Sequence, residues 1–186
     1  MAETITLEDF APEHFEALIG WFGSDAELTQ WAGPTLVFPL DQRQCAAMLS
    51  ETQGLLPQRL IWTAKAEDGR IVGHVQLALD QRNGVGRPGR VGIAPEARGR
   101  GFGFSMLAAV VARAFAMDGM ERLELNVYTF NHPAIRTYEK LGFVHEGVRR
   151  SCARVGDERW DMAMMGLLKS EYQQPIAARF NANATG

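Results

Sequence analysis

The chain has 186 residues, of which 46% are hydrophobic and 22% are charged, as in a typical folded globular protein. This length predicts one domain whose core is stable without a metal ion or a disulfide. With 19 Lys and Arg against 22 Asp and Glu, the formal net charge is −3, which argues against a nucleic-acid-binding protein. The two cysteines, Cys45 and Cys152, are far apart in sequence and predict neither a disulfide framework nor a zinc site.

The sequence predicts no targeting segment and no membrane span. Residues 1–4 include no basic stretch leading into an apolar one, which is the pattern of a secretory signal peptide. The longest apolar stretch, residues 106–117, is interrupted by Arg113 and is shorter than the roughly 18 residues that cross a bilayer. We therefore expect a cytoplasmic protein that has neither a membrane nor a nucleic acid as its partner.

The first half of the chain predicts one strand, three helices and a β-hairpin from hydrophobic periodicity and turn residues. In chain order these are a strand at residues 5–7, a helix that begins at Pro12, helices at 25–31 and 41–51, and strands at 60–65 and 71–79.

The second half alternates strands and helices. In chain order these are strand 90–94, helix 104–117, strand 123–127, helix 133–141, and strands 143–153 and 160–168. The whole pattern predicts a mixed α/β fold around one sheet. We place the domain at residues 1–168 and expect residues 169–186 to form a loosely ordered tail.

The densest chemical signal is a loop between a predicted strand and a predicted apolar helix. It contains Arg98, Gly99, Arg100, Gly101 and Gly103. Glycines let the backbone approach an anion closely, and the helix that follows presents unpaired N–H groups and the positive end of its dipole. The two arginines add charge-assisted hydrogen bonds. The loop therefore predicts a diphosphate-binding site rather than a merely flexible turn.

Two other nucleotide-binding motifs are not supported. No Gly-Lys pair occurs in the chain, which argues against a P-loop ATP or GTP hydrolase. A GxGxxG match at residues 84–89 contains Pro88 and leads into a predicted strand instead of a helix. A dinucleotide-dependent oxidoreductase is therefore not expected either.

Two blocks of the sequence resemble the signature of the GNAT N-acetyltransferase superfamily. Within residues 93–103, the pattern Arg98-x-x-Gly101-x-Gly103 is similar to that family's acyl-CoA pyrophosphate loop. Residues 131–143 resemble the second half of the signature and follow at the expected distance. The last predicted strand, residues 160–168, is similar to the last strand of the family branch that includes ribosomal-protein and peptide α-amine acetyltransferases.

The resemblance implies a fold and a cofactor. The fold is a central, mostly antiparallel sheet with a splayed strand 4 and strand 5 pair and flanking helices, and the co-substrate is acetyl-CoA, without a metal. The backbone at Val91 and Ile93 is expected to pair with the pantetheine arm. Asn131 is expected to contact the same arm besides capping a helix. Arg136 is either a solvent-exposed helix charge or a partner of the cofactor phosphates.

Acetyl transfer to an amine needs a polarised thioester, a neutral amine and a proton for the leaving thiolate. Tyr138 matches the family's tyrosine at which the thiolate is reprotonated, although spacing alone favours a core tyrosine. The stretch from Val85 to Ile93 contains no acid, which leaves the general base unassigned. Candidates are Glu124, Asn126, Asp80, His74 and Glu146, and water with backbone carbonyls is the alternative.

The predicted function is transfer of an acetyl group from acetyl-CoA to a primary amine by direct attack in a ternary complex. The acceptor is left open between a protein N-terminal amine, a polyamine, an amino acid and an aminoglycoside-type drug. Trp31, Phe38 and Trp62 either line the acceptor pocket or belong to the core. Two alternatives are a non-catalytic acyl-CoA- or partner-binding module and a succinyl-type acyltransferase. A homodimer, if formed, is expected through the C-terminal hairpin.

Overall fold

The computed structural model describes residues 4–172 and contains the predicted strands and helices of that range. The strands are β1 (Ile5–Asp9), β2 (Arg59–Ala66), β3 (Ile71–Asp80), β4 (Val85–Ile93), β5 (Arg122–Tyr128), β6 (Val144–Val155) and β7 (Glu158–Leu168). The helices are α1 (Phe15–Ile19), α2 (Asp25–Ala32), α3 (Gln42–Ser50), α4 (Phe102–Phe115), α5 (His132–Leu141) and α6 (Lys169–Tyr172). Single 3-10 turns at Pro12–His14 and Pro95–Ala97 precede α1 and the loop before α4.

Local capping signals set several helix ends. The Asp41 carboxylate accepts a backbone N–H from the first turn of α3 at 2.7 Å, and Gly142 ends α5 with a left-handed φ of 98°. The cap of α2 is Ser24, whose hydroxyl oxygen accepts a backbone N–H at 3.2 Å. Ser24 directly precedes the predicted helix at 25–31 and has the extended backbone that a cap requires, whereas Asp25 is already helical.

The seven strands form one sheet in the order β1-β2-β3-β4-β5-β7-β6. All neighbouring strands are antiparallel except β4 and β5. This parallel pair is hydrogen-bonded only at its start, where Val85 lies opposite Arg122 and Gly86 opposite Leu123. Beyond these positions the two strands diverge, which confirms the predicted mostly antiparallel sheet with a splayed central pair.

Strand β4 begins at Val85, five residues before the predicted start at Arg90. Proline and glycine are uncommon inside strands, so the sequence around Pro88 did not indicate a strand. Pro88 pairs with Leu77 of β3 on one side, and on the other side β5 has already diverged. The missing N–H of proline therefore costs no ladder hydrogen bond on the open side.

We expect Gly84→Ala to destabilise the fold by about 2–4 kcal/mol, because it combines a left-handed backbone with a steric clash. Gly84 has a φ of 64°, and a Cβ there would overlap the carbonyl oxygen of Gly119. Gly89→Ala is the matched control in β4, because a Cβ at that glycine meets nothing within 4 Å. Urea unfolding measures both variants, and equal stabilities would contradict the expectation.

The helices cover both faces of the sheet, as neighbouring residues of β3 show. Gly73 faces α4, since a Cβ there would lie 2.7 Å from Met106 Sδ. His74 faces α2, with its ring centroid 5.5 Å from that of Trp31. The buried residues of α4 fill the larger part of the core on their side, and they are Phe102, Met106, Leu107, Val110, Val111, Ala114 and Phe115.

Burial of His74 predicts that the fold loses stability in acid. Burial, together with the smaller effects of the positive charges of Arg90 and His14, lowers the pKa of His74 from 6.5 to about 3. Between these pH values the unfolded chain binds a proton that the folded chain does not. As far as His74 is concerned, the free energy of unfolding is therefore highest above pH 6.5. It decreases as the pH falls below 6.5, by up to about 1.4 kcal/mol per pH unit.

Urea unfolding of the parent and of His74→Gln across this pH range measures the effect. The variant should show the shallower pH dependence. The exposed His132 provides the control substitution, His132→Gln, which should keep the parent's slope. Equal slopes for the parent and His74→Gln would contradict this account.

The C-terminal segment after β7 begins with the short helix α6. The ring of Tyr172 packs against that of Phe115 with centroids 5.1 Å apart. The remainder of the predicted tail, residues 173–186, lies outside the described residues. Within residues 4–172, no helix has both the length and the apolar character needed to cross a membrane.

Candidate active site

The divergence of β4 and β5 opens a cavity of about 1340 Å³. Its walls include both strands, α2, α5, the loop before α4, the start of α4 and residues of β2, β6 and β7. The predicted site residues that line it are Val91, Ile93, Arg98, Gly99, Gly101, Gly103, Asn131 and Tyr138. The structure therefore brings both blocks of the sequence signature to one cavity.

The glycine loop has the backbone geometry of an anion-binding turn. Gly99 and Gly101 have φ values of 76° and 93°, and a Cβ at either position would meet nothing within 4 Å. The requirement for glycine here comes from the left-handed backbone rather than from a close neighbour. Gly101 is also the N-cap of α4, so the unpaired N–H groups of a 14-residue helix begin at this loop.

The two arginines of the loop have different positions. Arg98 lines the cavity, and its Nε donates to the carbonyl oxygen of Ile93 at 3.2 Å. Arg100 lies with its guanidinium 5.0 Å from the ring centre of Phe102 and is not part of the cavity wall. A contact between Arg100 and a bound phosphate therefore remains a prediction.

The edge of β4 that faces β5 has no strand partner beyond Gly86. Its backbone N–H and C=O groups are therefore available to an extended ligand, as an unpaired strand edge is. Val91 and Ile93 both lie on this cavity wall. The Ile93 carbonyl already accepts the hydrogen bond from Arg98, so a ligand that pairs there must share or displace it.

Tyr138 joins the cavity wall from α5 while most of its side chain is buried. Its ring lies edge-on to Phe143 at 5.9 Å. Burial raises the pKa of Tyr138 to about 12, so the hydroxyl keeps its proton at neutral pH. Among residues 4–172 this hydroxyl has no hydrogen-bond partner, and it can therefore donate to a group in the cavity.

The start of α5 brings Asn131 to the same wall. Its side-chain oxygen accepts the N–H of Ala134 at 3.4 Å, so the predicted capping role is present. Arg136 is exposed and does not line the cavity. It lies about 200° around the helix from Tyr138, since the two are separated by two residues at 3.6 residues per turn. Lys140 is the cation of α5 that does line the cavity.

Three of the five base candidates line the cavity, and two of these are carboxylates held by arginines. Glu124 accepts hydrogen bonds from Arg87 at 2.6 Å and from Arg122 at 3.1 Å. Partial burial alone would raise the pKa of Glu124, but the two guanidinium groups outweigh it and hold the pKa below its ordinary value. Glu146 is bound by both terminal nitrogens of Arg122. The third, Asn126, is an amide and takes up no proton.

The other two base candidates are not on the cavity wall. Asp80 binds Asn83 at the far end of β3, and His74 lies beneath α2 with a strongly lowered pKa. Of the three aromatic residues left open between the acceptor pocket and the core, Trp31 lines the cavity. Phe38 does not, and Trp62 lies on the opposite face of the sheet, where the Arg113 guanidinium sits 5.6 Å from its ring centre.

The ion pairs of the site and the position of Arg90 were not predicted from the sequence. The alternating chain Arg87–Glu124–Arg122–Glu146 crosses three strands, and its pairing depends on sheet register. Arg90 lines the cavity from a bulge in β4, with a φ of 46°. Its position directly after Gly89 in a Gly-rich strand was the available signal. Among residues 4–172, no group of three or more His, Cys, Asp or Glu side chains could hold a metal ion.

The site fits a long, anionic acyl carrier such as acyl-CoA. The open glycine loop and the α4 N-terminus suit its diphosphate, and the unpaired edge of β4 suits its extended pantetheine arm. The cavity is also large enough for a second substrate, since ligand sites are commonly 300–1,000 Å³ and this one has about 1340 Å³.

Solved structures support this assignment of the fold. A crystal structure of spermidine N-acetyltransferase from Vibrio cholerae in complex with CoA and spermine superposes with a TM-score of 0.79. The match covers 91% of this chain and 98% of that chain, at 17% sequence identity. At this identity the likeness establishes the fold alone.

Curated relatives share about a third of the aligned residues. An uncharacterized N-acetyltransferase from a Bacillus subtilis prophage, YokL, is 31% identical over 111 residues, which are 59% of this chain and 62% of that protein. The L-amino acid N-acetyltransferase AaaT of Escherichia coli is 30% identical over 104 residues, covering 55% and 64% of the two chains. The match thus spans just under two thirds of the length of these relatives.

A family model for acetyltransferases matches residues 24–143, which include α2, the glycine loop, Tyr138 and the diverging strands. This range covers more than half of the chain and contains β4 and β5, the two strands between which the cavity opens. The chain belongs to the GNAT acetyltransferase family.

Proposed function

We propose that the protein transfers an acetyl group from acetyl-CoA to the primary amine of a small-molecule acceptor. One observation carries the proposal: the glycine loop at the start of α4 and the protonated hydroxyl of Tyr138 line the same cavity. Acetyl-CoA supplies the acetyl group as a thioester, so that a C–N bond forms as the C–S bond breaks, giving an amide and the CoA thiol.

The glycine loop holds the cofactor's diphosphate in this proposal. Gly99 and Gly101 expose backbone N–H groups, and Arg98 adds a positive charge at the cavity. The free edge of β4 orients the extended arm, so that binding energy from remote contacts positions the reacting carbonyl. Val91 and Ile93 supply this edge.

Tyr138 donates the proton that the departing sulfur takes up. Its raised pKa keeps the hydroxyl protonated before transfer, and no hydrogen bond to another described residue competes for it. The amine loses its own proton to water, because the cavity carboxylates of Glu124 and Glu146 are already paired with arginines and that of Glu27 accepts a backbone N–H.

A small-molecule acceptor agrees with the relatives, whose names refer to an L-amino acid and to spermidine. The resemblance of β7 to peptide α-amine acetyltransferases remains a prediction, as do a protein N-terminal acceptor and a homodimer. A non-catalytic binding module is disfavoured because Tyr138 is present and faces the cavity. A succinyl-type transferase is distinguished by its donor preference in the test below.

Release of CoA thiol from acetyl-CoA, measured against a panel of amines, tests the proposal. The panel contains L-amino acids, spermidine, an aminoglycoside and a peptide with a free N-terminus. Thiol release that requires both enzyme and a small amine, with a matching N-acetyl product by mass spectrometry, is the expected result. Acetyl-CoA binding without acetylation of any amine would support the non-catalytic alternative instead. Faster transfer from succinyl-CoA than from acetyl-CoA would overturn the acetyl assignment.

A further inference from the structure

Arg90 is a half-buried cation at the cavity whose partners are both neutral. Its two terminal nitrogens donate to the Gln76 side-chain oxygen and to the Thr35 hydroxyl, each at 3.1 Å. No carboxylate within residues 4–172 forms an ion pair with it. Burial lowers the pKa of Arg90, the nearby charge of Arg59 lowers it further, and the carboxylate of Glu51 partly offsets both effects. Glu51 is bonded to Arg59, so among the described residues no carboxylate bonds directly to Arg90.

Two other arginines that line the cavity are neutralised by carboxylates. Arg59 is paired with Glu51 at 2.8 Å, and Arg87 is paired with Glu124 at 2.6 Å. A partly buried charge is costly unless an opposite charge accompanies it. The contrast indicates that the counter-ion of Arg90 arrives with a substrate.

The backbone at Arg90 is also strained. It has a φ of 46° in the bulge where the pairing of β3 and β4 is irregular. Glycine adopts this conformation at little cost, whereas an arginine does not. Backbone strain of this kind is concentrated at ligand-binding positions, and here it directs a guanidinium toward the acceptor side of the sheet.

The net charge of the cavity wall also favours an anionic group on the substrate. Among the described residues that line it, six are cationic and three are acidic: Arg59, Arg87, Arg90, Arg98, Lys140 and Arg149 against Glu27, Glu124 and Glu146. The acidic side chains are already bonded, Glu124 and Glu146 to arginines and Glu27 to a backbone N–H at 2.7 Å. A polycationic acceptor would meet a net positive wall, which disfavours a polyamine.

We propose that Arg90 binds a carboxylate of the acceptor, so that the acceptor is a small amino acid carrying amine and carboxylate together. The inference rests on the proposed acetyltransferase function. Of the five N–H donors of an arginine, two are occupied at Arg90, and the remaining three can bind a carboxylate in a charge-assisted manner. The carboxylate fixes the orientation of the neighbouring amine toward the opening between β4 and β5.

A carboxylate at Arg90 has two sources, the acceptor or a dicarboxylic acyl chain on CoA. The test therefore compares donors and acceptors in one assay of thiol release. Acetyl-CoA is combined with L-amino acids of apolar, aromatic, acidic and basic type, each beside its own carboxamide, and with spermidine. Succinyl-CoA is combined with the carboxamides.

The expected result is a kcat/KM about 10–100-fold higher for at least one amino acid than for its carboxamide. The carboxamide has the less basic amine, so reactivity alone favours the opposite order. Arg90→Gln should remove this preference and leave the Kd of acetyl-CoA unchanged. Arg90→Lys, which keeps the charge without the planar fork, should retain part of it. Arg149→Gln is the matched control and should keep the full preference, because it removes a positive charge from the cavity wall without freeing a carboxylate near Arg90.

Two outcomes overturn the inference while acetyl transfer stands: preference for spermidine or carboxamides, or a preference for free acids that Arg90→Gln retains. Preference for succinyl-CoA with carboxamides, lost in Arg90→Gln, would assign the carboxylate to the acyl chain and also overturn it. Transfer to no amine from either donor would instead overturn the proposed function. The comparison of acid and carboxamide uses the parent protein and so does not depend on the folding of a variant.

Discussion

Replacing Gly101 by glutamate should weaken acetyl-CoA binding by at least about 100-fold, or about 2.8 kcal/mol. The glycine is the N-cap of α4 and has a φ of 93°, a conformation that costs other residues about 1–2 kcal/mol. The new carboxylate would also stand where the helix N-terminus and the loop favour an anion, and it would repel the diphosphate. Isothermal titration calorimetry measures the loss directly.

The control separates charge at the loop from backbone strain. Gly156 lies in the turn between β6 and β7, has a φ of 57° and has nothing within 4 Å of an added Cβ. Gly156→Glu therefore introduces the same side chain on a left-handed backbone away from the cavity, and it should bind acetyl-CoA as the parent does. An unchanged Kd for Gly101→Glu would show that the loop is not the diphosphate site.

Replacing Tyr138 by phenylalanine should lower kcat by about 100-fold or more and leave the Kd of acetyl-CoA nearly unchanged. The hydroxyl makes no hydrogen bond to a described residue, and the ring keeps its packing against Phe143, so the fold should tolerate the change. Because the pKa of Tyr138 is raised to about 12, the defect should be constant from neutral pH to about pH 10. Steady-state thiol release measures kcat.

Tyr128 provides the matched control. Tyr128 lines the same cavity, but its hydroxyl is buried and has no hydrogen-bond partner among the described residues. Its ring stacks on Phe130 at 5.6 Å. Tyr128→Phe should leave kcat unchanged. A Tyr138→Phe enzyme with the parent's kcat would remove Tyr138 from the chemistry and leave it a core residue.

Much of the fold was predictable because local signals and sequence spacing determine it. Asp41 and Gly142 mark helix ends by capping chemistry, and they lie within one residue of the predicted ends of the helices at 41–51 and 133–141. The start of β4 was not predictable, since a strand that contains Pro88 is tolerated only because β5 diverges there. That condition belongs to the tertiary structure and leaves no local pattern.

The parts of the site that lie in contiguous sequence motifs were predictable. The parts that depend on how the strands are ordered and aligned in the sheet were not. The glycine loop and Tyr138 lie in contiguous motifs, and the structure brings them to one cavity. The neutralisation of Glu124 and Glu146 requires the strand order β4-β5-β7-β6, which the sequence alone does not determine. Trp62 lies in β2, which is buried on both faces. The sequence of this strand does not alternate between polar and apolar residues, so it could not show that Trp62 faces α4 rather than the acceptor side of the sheet.

The central claim, that this cavity binds acetyl-CoA through the glycine loop, is tested most directly by titrating the protein with acetyl-CoA and then with ATP. The account predicts one acetyl-CoA site per chain with a Kd on the order of micromolar, about −8 kcal/mol, and no binding of ATP. Absence of acetyl-CoA binding, or ATP binding of equal strength at the same site, would contradict it.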